Sequence, residues 1–331
     1  MTRVGFITSP LSTGHVARGV GFYTSRLLRE LKRQSAKFKI ELVENGFDCQ
    51  LVHYPWFDLF FHTLPIFRSY KTVVTIHDVI PLEYPDHYPP GLKGAINLQL
   101  QKLALSTADL VLTDSMASIK SITKYLGVPH AKLRLIYLAA DEKFKPITNK
   151  QVLTMVANKY HLPSEFVLYV GDVNWNKNIP NLVLACRQAG LPLVMVGKQA
   201  REIEQMDLNH AELVHLRTVN WEGVMRLGFV PDTDLVAIYN LATVYCQPSF
   251  AEGFGLPVLE ALACDTPVAV SQASSLPEIA QVATVYFDPT DVANMAMALR
   301  APQPNGRVTQ AKKFSWQRAA LETLKIYASL I

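Results

Sequence analysis

The sequence has few cysteines, and they form no recognisable framework. The chain of 331 residues contains four, spread far apart: Cys49, Cys186, Cys246 and Cys264. A disulfide-rich scaffold or a zinc site needs cysteines in closely spaced groups, which this chain lacks. We therefore expect reduced thiols and a cytoplasmic location.

Long hydrophobic runs and a strong charge imbalance are also missing. No apolar run reaches the length that spans a bilayer, and the N-terminus leads into a strand-like stretch, so we expect neither a membrane span nor a signal peptide. Lys and Arg exceed Asp and Glu by only 32 to 28, a formal net charge of +4. This excess permits phosphorylated ligands or an anionic surface, but it does not predict a nucleic-acid partner.

What is present is a regular alternation of short apolar runs and helical patterns, typical of α/β domains. With 49% hydrophobic and 18% charged residues, the chain is long enough for two ordered domains. A polar stretch with Pro146, residues 141–150, interrupts the alternation near the midpoint. We therefore place the domains at 1–145 and 146–331, with strands predicted at residues 3–9, 38–43, 50–53, 72–76, 110–113, 133–137, 166–170, 193–196, 213–216 and 243–246.

The most informative stretch is residues 248–270, PSFAEGFGLPVLEALACDTPVAV. It reads as a glycine turn between a strand and a helix that opens near Pro257. Free N–H groups at a helix start can hold a phosphate or a sugar hydroxyl. Glu252 and Glu260 bracket the turn, and we expect both carboxylates to face one ligand, with Glu260 in the first helical turn. The alternative is a solvated Glu252 and a Glu260 that only favours the helix dipole.

This stretch resembles the glutamate-seven-glutamate signature of retaining glycosyltransferases of family 4, the glycosyl transferases of group 1. The resemblance implies a GT-B architecture, with two Rossmann-like domains facing each other across a cleft and a last helix, residues 308–330, that crosses back to the first domain. It implies that Glu252 contacts the transferred sugar and that Glu260 binds the nucleotide ribose. The loop residues Gly253, Phe254 and Gly255 would lie against the donor.

The first domain supplies two further candidates. By the resemblance, Gly21 in the loop before a helix at residues 22–34 would approach the donor phosphates, although a glycine needed only for its turn is an equal alternative. Gly19 and Gly21 also weakly suggest a dinucleotide-binding site. That motif, however, needs its glycines directly after the first strand, and here about ten residues intervene. His77 follows the predicted strand 72–76 and, by the resemblance, lies near the sugar. A structural hydrogen-bonding role is the alternative for His77.

The loop GDVNWNKN, residues 171–178, is the candidate diphosphate site. Lys177 directly precedes a helix predicted at residues 179–189, so its charge and the helix dipole could act on one phosphate. Family members commonly read Arg-Lys-Asn where this chain has Asn176 before Lys177, which removes one positive charge. Arg226 or Arg18 could replace it; alternatively, Lys177 is a solvated surface lysine.

We expect no metal and no cofactor. Asp232 and Asp234 resemble a metal-binding pair but fit a helix start with Asp232 as N-cap, and Ser275 with Glu278 fits a capping box. No nucleophile motif is present. The sequence thus predicts a metal-independent, retaining transfer of a hexose from a nucleotide-diphosphate sugar to a hydroxyl acceptor, in a glycan, a glycolipid or a small molecule. A degenerate nucleotide-sugar binder and, less favoured, an NAD-dependent oxidoreductase are the alternatives.

A peripheral membrane contact is a separate hypothesis. Residues 27–39, LLRELKRQSAKFK, mix leucines with five basic residues, as a helix lying on a membrane surface does. The favoured alternative is a helix that packs its leucines on the sheet and solvates its charges.

Overall fold

The computed structural model describes residues 1–12 and 19–331, which divide into two compact units. Unit 1 comprises Met1–Pro85, Pro89–Ala139 and Phe314–Ile331. Unit 2 comprises Asp86–Tyr88 and Ala140–Lys313. Three residues of the proline-rich segment therefore pack with unit 2, and the end of the chain packs with unit 1.

Unit 1 is built on a six-stranded parallel sheet, whose central strands are apolar runs buried on both faces. Its elements before the unit boundary are β1 (Thr2–Phe6), α1 (Gly19–Gln34), β2 (Ile40–Glu44), β3 (Leu51–Tyr54), β4 (Lys71–Thr75), α2 (Ile80–Glu83), α3 (Gly91–Ser106), β5 (Leu110–Thr113), α4 (Met116–Leu126) and β6 (Leu133–Leu135). The strand order is β2-β1-β3-β4-β5-β6. All pairs are parallel, so every strand ends at the same edge.

Unit 2 repeats this design. Its elements are α5 (Lys150–Tyr160), β7 (Val167–Val170), α6 (Ile179–Ala189), β8 (Leu193–Val196), α7 (Lys198–Arg201), β9 (Val224–Arg226), α8 (Asp232–Leu241), β10 (Val244–Gln247), α9 (Leu256–Ala263), β11 (Val268–Ser271), α10 (Leu276–Ala280), β12 (Val285–Phe287), α11 (Val292–Arg300) and α12 (Arg307–Ala311). The sheet is parallel, with the order β12-β11-β10-β7-β8-β9. Two Rossmann-like sheets are thus present.

The C-terminal segment forms two helices rather than the single helix predicted over residues 308–330. After α12, the chain forms α13 (Trp316–Leu330), whose N-cap Ser315 accepts a hydrogen bond from the Arg318 N–H at 3.1 Å. This cap starts a new helix after a short break. Helix α13 belongs to unit 1, where Gln34 of α1 donates to the Gln317 carbonyl at 3.0 Å.

Three local predictions are wrong. Residues 214–216 form a 3-10 turn, and the strand predicted there is instead β9. Residues 81–90 carry four prolines, a composition that predicts a surface loop without helix, but Pro81 lies in the first turn of α2, where its missing N–H has no partner to lose. Helix α1 begins at Gly19, three residues before its predicted start, so Gly21 is a buried helical residue rather than a loop residue.

Helix α1 does not have the surface that a membrane-lying helix needs. Leu27, Leu28 and Leu31 are at most 6% exposed, because they pack inside unit 1. The packing alternative therefore describes residues 27–34, and these leucines are not available to lipid. Separately, none of the helices within residues 1–12 and 19–331 combines the length and hydrophobicity that crossing a membrane requires.

Candidate active site

The candidate site of unit 2 lies where the order of the sheet reverses. From β7 the chain continues to β8 and β9 on one side, and then returns to β10, β11 and β12 on the other. In parallel α/β sheets, ligands bind at the carboxyl ends of the strands beside such a switch point. The loops that follow the neighbouring strands β7 and β10 carry Lys177 and Glu252 respectively.

Lys177 and Glu252 form a direct ion pair across these two loops. The Lys177 Nζ lies 2.8 Å from Oε1 and 2.9 Å from Oε2 of Glu252. Glu252 is 8% exposed, and its Oε1 also accepts from Gln247 Nε2 at 2.8 Å and from Ser249 Oγ at 2.6 Å. A buried charge needs a partner and several donors, and this carboxylate has them. The solvated alternatives for both residues are therefore wrong.

The glycine loop is held by serines from the loop that follows β11. Ser274 Oγ donates to the Glu252 carbonyl at 2.7 Å, and Ser275 Oγ lies 3.0 Å from that carbonyl and 2.9 Å from the Phe254 carbonyl. The capping-box prediction is wrong, because the Ser275 side chain caps no helix. The backbone of the loop is therefore fixed by the hydroxyls of these two serines.

Gly255 has a geometric reason to be glycine. Its φ is +101°, in the left-handed region, and a Cβ at this position would lie 2.9 Å from Leu276 Cδ2. Gly253 and Phe254 are buried beside it. The loop residues that the resemblance places against the donor are thus tightly packed.

Glu260 lies one turn further into α9 than predicted. It is the fifth residue of the helix rather than a first-turn residue, and its Oε2 accepts from Tyr239 OH at 2.9 Å. Burial raises the pKa of Glu260 to about 7, although the Tyr239 hydrogen bond and the Lys143 charge oppose the shift. Its carboxyl therefore titrates near neutral pH.

A buried row of side chains lies behind both glutamates. The ring centroids of Tyr239 and Tyr245 are 5.7 Å apart, and Tyr245 OH donates to Gln247, which in turn donates to Glu252. Because Tyr239 also donates to Glu260, one packed polar and aromatic network orients the two carboxylates. Sequence spacing gave no sign of this network.

Asn176 is occupied by structural contacts. It is 4% exposed, its Nδ2 donates to the Ala251 carbonyl at 2.9 Å, and its Oδ1 accepts from Tyr88 OH at 2.7 Å. Nearby, the rings of His87 and Trp175 stack 3.7 Å apart. The amide therefore fixes the loop to its neighbours. The sequence analysis missed Tyr88, which is distant along the chain, although its proline- and aromatic-rich segment was a signal.

Arg226 and Arg18 are the candidates to replace the positive charge that is missing at Asn176. Arg226 Nη2 lies 2.5 Å from Glu204 Oε1, and the guanidinium lies 5.2 Å from the centroid of the Trp221 ring. Its charge is therefore already paired within unit 2. Arg18 lies outside the described residues.

In unit 1, His77 forms a buried pair that the sequence analysis also missed. His77 follows β4 and Asp114 follows the neighbouring β5, with 2.5 Å between Nδ1 and Oδ2. Burial alone would lower the pKa of His77, but the Asp114 carboxylate outweighs burial and raises it above its ordinary value. Tyr23 packs edge-on against the imidazole at 4.6 Å. The pair favours an imidazolium in fixed orientation.

The aspartates of the apparent metal motif face different partners. Asp232 is the first residue of α8, not its N-cap, and pairs with Lys143; Asp234 pairs with Lys159 at 2.6 Å and accepts from Tyr160 OH at 2.8 Å. In the part of the chain that the structure describes, no group of three or more His, Cys, Asp or Glu is arranged to hold a metal ion.

Two Rossmann-like sheets, with a basic and an acidic side chain paired at the switch point of the second, define a two-domain fold of the GT-B type. The model of "Glycosyl transferases group 1" matches residues 157–301, and that of "Glycosyltransferase Family 4" matches residues 6–144. The O-antigen chain mannosyltransferase B of Escherichia coli is 32% identical over 280 residues, which cover 80% of this chain and 71% of that protein. The chain belongs to glycosyltransferase family 4.

Solved structures agree with the fold. Sucrose-phosphate synthase from Thermosynechococcus elongatus matches with a TM-score of 0.71 at 20% identity, covering 100% of this chain and 99% of that one. Anabaena HepE in complex with UDP-glucose matches with a TM-score of 0.68 at 14% identity, covering 99% and 100%. The WbdA mannosyltransferases of Escherichia coli are longer, and the matched part spans about a third of their length.

Proposed function

We propose that this glycosyltransferase moves a hexose, with retention of configuration, from a nucleotide-diphosphate sugar to a hydroxyl acceptor without a metal or a cofactor. The observation that carries the proposal is the ion pair between Lys177 and Glu252 at the switch point of the second sheet. A lysine next to a helix start suits a diphosphate, and a well-held carboxylate suits sugar hydroxyls.

In this proposal Lys177 neutralises the leaving diphosphate. One unit charge at 4 Å contributes about 4 kcal/mol at an effective dielectric of 20. The bond between the anomeric carbon and the phosphate oxygen breaks, and its electron pair leaves with the diphosphate. The acceptor oxygen then bonds to the anomeric carbon on the same face, and its proton passes to a phosphate oxygen. The protein mainly positions and neutralises.

The remaining roles follow the family resemblance. Glu252 binds the sugar, Glu260 binds the ribose as a carboxylate, and His77 of unit 1 contributes an oriented imidazole to the sugar. The backbone of Gly253, Phe254 and Gly255 lines the donor, and buried Gly21 permits close approach of α1 to the phosphates. Mannose is the first hexose to test, because the matched Escherichia coli relative is named a mannosyltransferase.

A nucleotide-sugar-binding protein without transfer is the second candidate, and the side chain of Asn176 favours it. This position has no charge, and its amide is engaged by Tyr88 and Ala251. Lys177 would then supply the loop's positive charge alone. The family assignment gives no support to the oxidoreductase alternative.

The test combines binding with product analysis. A thermal-shift panel of nucleotide diphosphates and their hexose derivatives identifies the donor, because a ligand of the folded state raises the unfolding temperature. Long incubation of that donor with mixed sugar acceptors follows, with NMR of the product's anomeric configuration. Transfer with retention supports the enzyme; a thermal shift without any product supports the binding protein; inversion contradicts the proposed mechanism.

Glu252→Gln is the matched variant for this test, because an amide of equal size cannot ion-pair with Lys177. Glu165→Gln, at a carboxylate 3.8 Å from Arg300 and more than half exposed, is the control. We expect transfer to be lost only in the first. Wild-type turnover by Glu252→Gln would remove Glu252 from the proposed site.

A further inference from the structure

Helix α3 is apolar on two opposite faces, and unit 1 covers only one of them. Its buried face contributes Gly94, Gln101, Ala104 and Leu105 to the packing of unit 1. Its other face carries four large apolar side chains with exposures of 82%, 55%, 38% and 54%: Leu92, Ile96, Leu100 and Leu103. Steps of four, four and three residues keep these side chains on one side of a helix. An apolar stripe therefore runs along most of α3.

Two phenylalanines lie on the segment that packs beside this helix. Asn97 of α3 donates to the Phe60 carbonyl at 2.9 Å, and Arg68 donates to the Ala104 carbonyl at 2.7 Å, so the segment is fixed near both halves of α3. Phe61 is 67% exposed and Phe67 is 92% exposed. We call these six side chains the α3 surface: Phe61, Phe67, Leu92, Ile96, Leu100 and Leu103. Single exposed apolar residues are ordinary, whereas a group of them on one side of a helix marks an interaction site.

The charges around the α3 surface are mainly positive. Helix α3 has no acidic residue and carries Lys93 and Lys102, and Lys132 donates to the Ala108 carbonyl just beyond the end of the helix. The adjacent acids are already engaged: Asp58 accepts from the N–H groups of Phe60 and Phe61, and Asp109 pairs with Lys71 at 3.0 Å. An apolar face flanked by lysines complements anionic lipid headgroups above an acyl layer.

We infer that the α3 surface docks unit 1 on an anionic lipid bilayer. The leucines, the isoleucine and the phenylalanines enter the boundary between headgroups and acyl chains, and Lys93 and Lys102 remain among the phosphates. The surface differs from the basic stretch at residues 27–39, whose leucines are buried. Such docking would bring the enzyme to acceptors held at a membrane, but it does not depend on the proposed transfer reaction.

Vesicle flotation tests the apolar part of the inference. The wild-type chain should float with vesicles of phosphatidylcholine and phosphatidylglycerol and much less with phosphatidylcholine alone. Ile96→Gln, Leu100→Gln and Leu103→Gln together should lower the bound fraction by about tenfold or more, because three apolar side chains no longer leave water. The matched control is Met155→Gln, Val282→Gln and Met297→Gln, at unit 2 positions that are at least 66% exposed; it should float like the wild type.

Two double variants test the contribution of the lysines to vesicle binding. Lys93→Gln with Lys102→Gln should remove most of the preference for anionic vesicles, at about 1 kcal/mol per lysine, or roughly fivefold each. Lys37→Gln with Lys120→Gln removes two exposed lysines from other parts of unit 1 and should leave flotation unchanged. Equal losses of flotation in both double variants would show nonspecific charge attraction and overturn the inference.

A spectroscopic measurement avoids any dependence on the triple variant. The fluorescence of Leu92→Trp, at a position 82% exposed, should shift to shorter wavelength on addition of anionic vesicles. Absence of wild-type flotation, flotation of the triple variant at the wild-type level, or an unchanged tryptophan spectrum each overturns the inference. Concentration-dependent dimerisation that the triple variant abolishes, without vesicle binding, would assign the surface to a second copy instead.

Discussion

Two buried pairs of opposite charge, one in each unit, are built in the same way but differ in their cation. In unit 2, Lys177 and Glu252 join the loops after the neighbouring strands β7 and β10; in unit 1, His77 and Asp114 join the loops after β4 and β5. Lysine stays charged throughout the physiological range, whereas histidine can lose its charge near neutral pH. The charge of the unit 1 pair can therefore depend on pH.

The hydrogen bonds to the carboxylates of Glu252 and Asp114 differ as well. Glu252 receives hydrogen bonds from Lys177, Gln247 and Ser249, whereas within residues 1–12 and 19–331 the Asp114 side chain accepts a hydrogen bond from His77 alone. Removing a partner should therefore have unequal effects on the two pairs.

Lys177→Met should have the largest effect on activity, because it removes the cation of the unit 2 pair. We expect kcat to fall by about 10²- to 10³-fold, because the leaving diphosphate loses its positive charge. Steady-state kinetics of the variant, compared with the control Lys312→Met at an exposed position, measure it. A loss smaller than about threefold contradicts the role of Lys177.

Asp114→Asn should move the titration of His77 to lower pH. Without the carboxylate, burial dominates and the pKa of His77 should fall below its ordinary value. We expect kcat/KM to fall by about 10- to 100-fold at pH 7, the loss typical of metal-ligating histidines that lose an orienting carboxylate. NMR titration of His77 and the pH profile of kcat/KM measure both effects.

The sign of the stability effect follows from the same shift. The folded-state pKa of His77 lies above 6.5, so the pair stabilises the fold fully below pH 6.5 and this stabilisation is lost as pH rises through the folded-state pKa. Asp114→Asn should therefore lower the unfolding temperature more at pH 6 than at pH 9. An equal loss at both values would contradict the charged pair.

Glu260→Gln should affect donor binding more than turnover. At pH 8 the carboxylate is ionised, and replacing it should weaken donor binding by about tenfold. The pKa of about 7 means that the wild-type advantage shrinks as pH falls through that value. Calorimetric titration of the donor at pH 6 and pH 8 tests this; a difference that does not change with pH would contradict it.

The same raised pKa predicts an opposite effect on stability. The shift from 4.5 to about 7 shows that the folded state favours the protonated carboxyl, so its relative stabilisation is complete below pH 4.5 and lost as pH rises through 7. Glu260→Gln should thus raise the unfolding temperature at pH 8 but not at pH 4.5. Tyr239 can still donate to the amide oxygen.

Ser275→Ala should produce the smallest effect. Its hydroxyl holds the carbonyls of Glu252 and Phe254, and the loss of this support should cost about 1–2 kcal/mol of unfolding free energy. Donor binding should weaken by about threefold, because the glycine loop is less fixed. Urea unfolding and donor titration measure these effects. Ser329→Ala, at an exposed hydroxyl near the C-terminus, is the control and should change neither.

The sequence predicted the continuous parts of the fold well. The runs that form β5 and β8 are short, apolar and bounded by polar residues, so their bounds were predicted as the structure has them. Leu213–Leu216 is also short and mainly apolar but forms a turn, and the less apolar β9 was missed. A strand in a parallel sheet depends on its neighbours, and a local pattern does not identify those neighbours.

The candidate site was predicted in part for a similar reason. The glycine turn, Glu252 and Lys177 are visible as motifs, but their ion pair joins residues 75 positions apart. Asp114 lies 37 positions after His77, and Tyr88 lies 88 positions before Asn176. Each partner is selected by strand order rather than by spacing. The roles assigned to the site residues stay predictions until the donor is tested.

The membership of Asp86–Tyr88 in unit 2 has a consequence for domain exchange between family members. A chimaera that transfers only residues 140–313 would leave the Tyr88 hydroxyl behind, so the Asn176 amide would lose its donor and Trp175 would lose the stacked His87 ring. Grafts should therefore carry this tripeptide with the second unit. A recombination boundary chosen from the linear sequence alone would separate contacts that the folded chain keeps together.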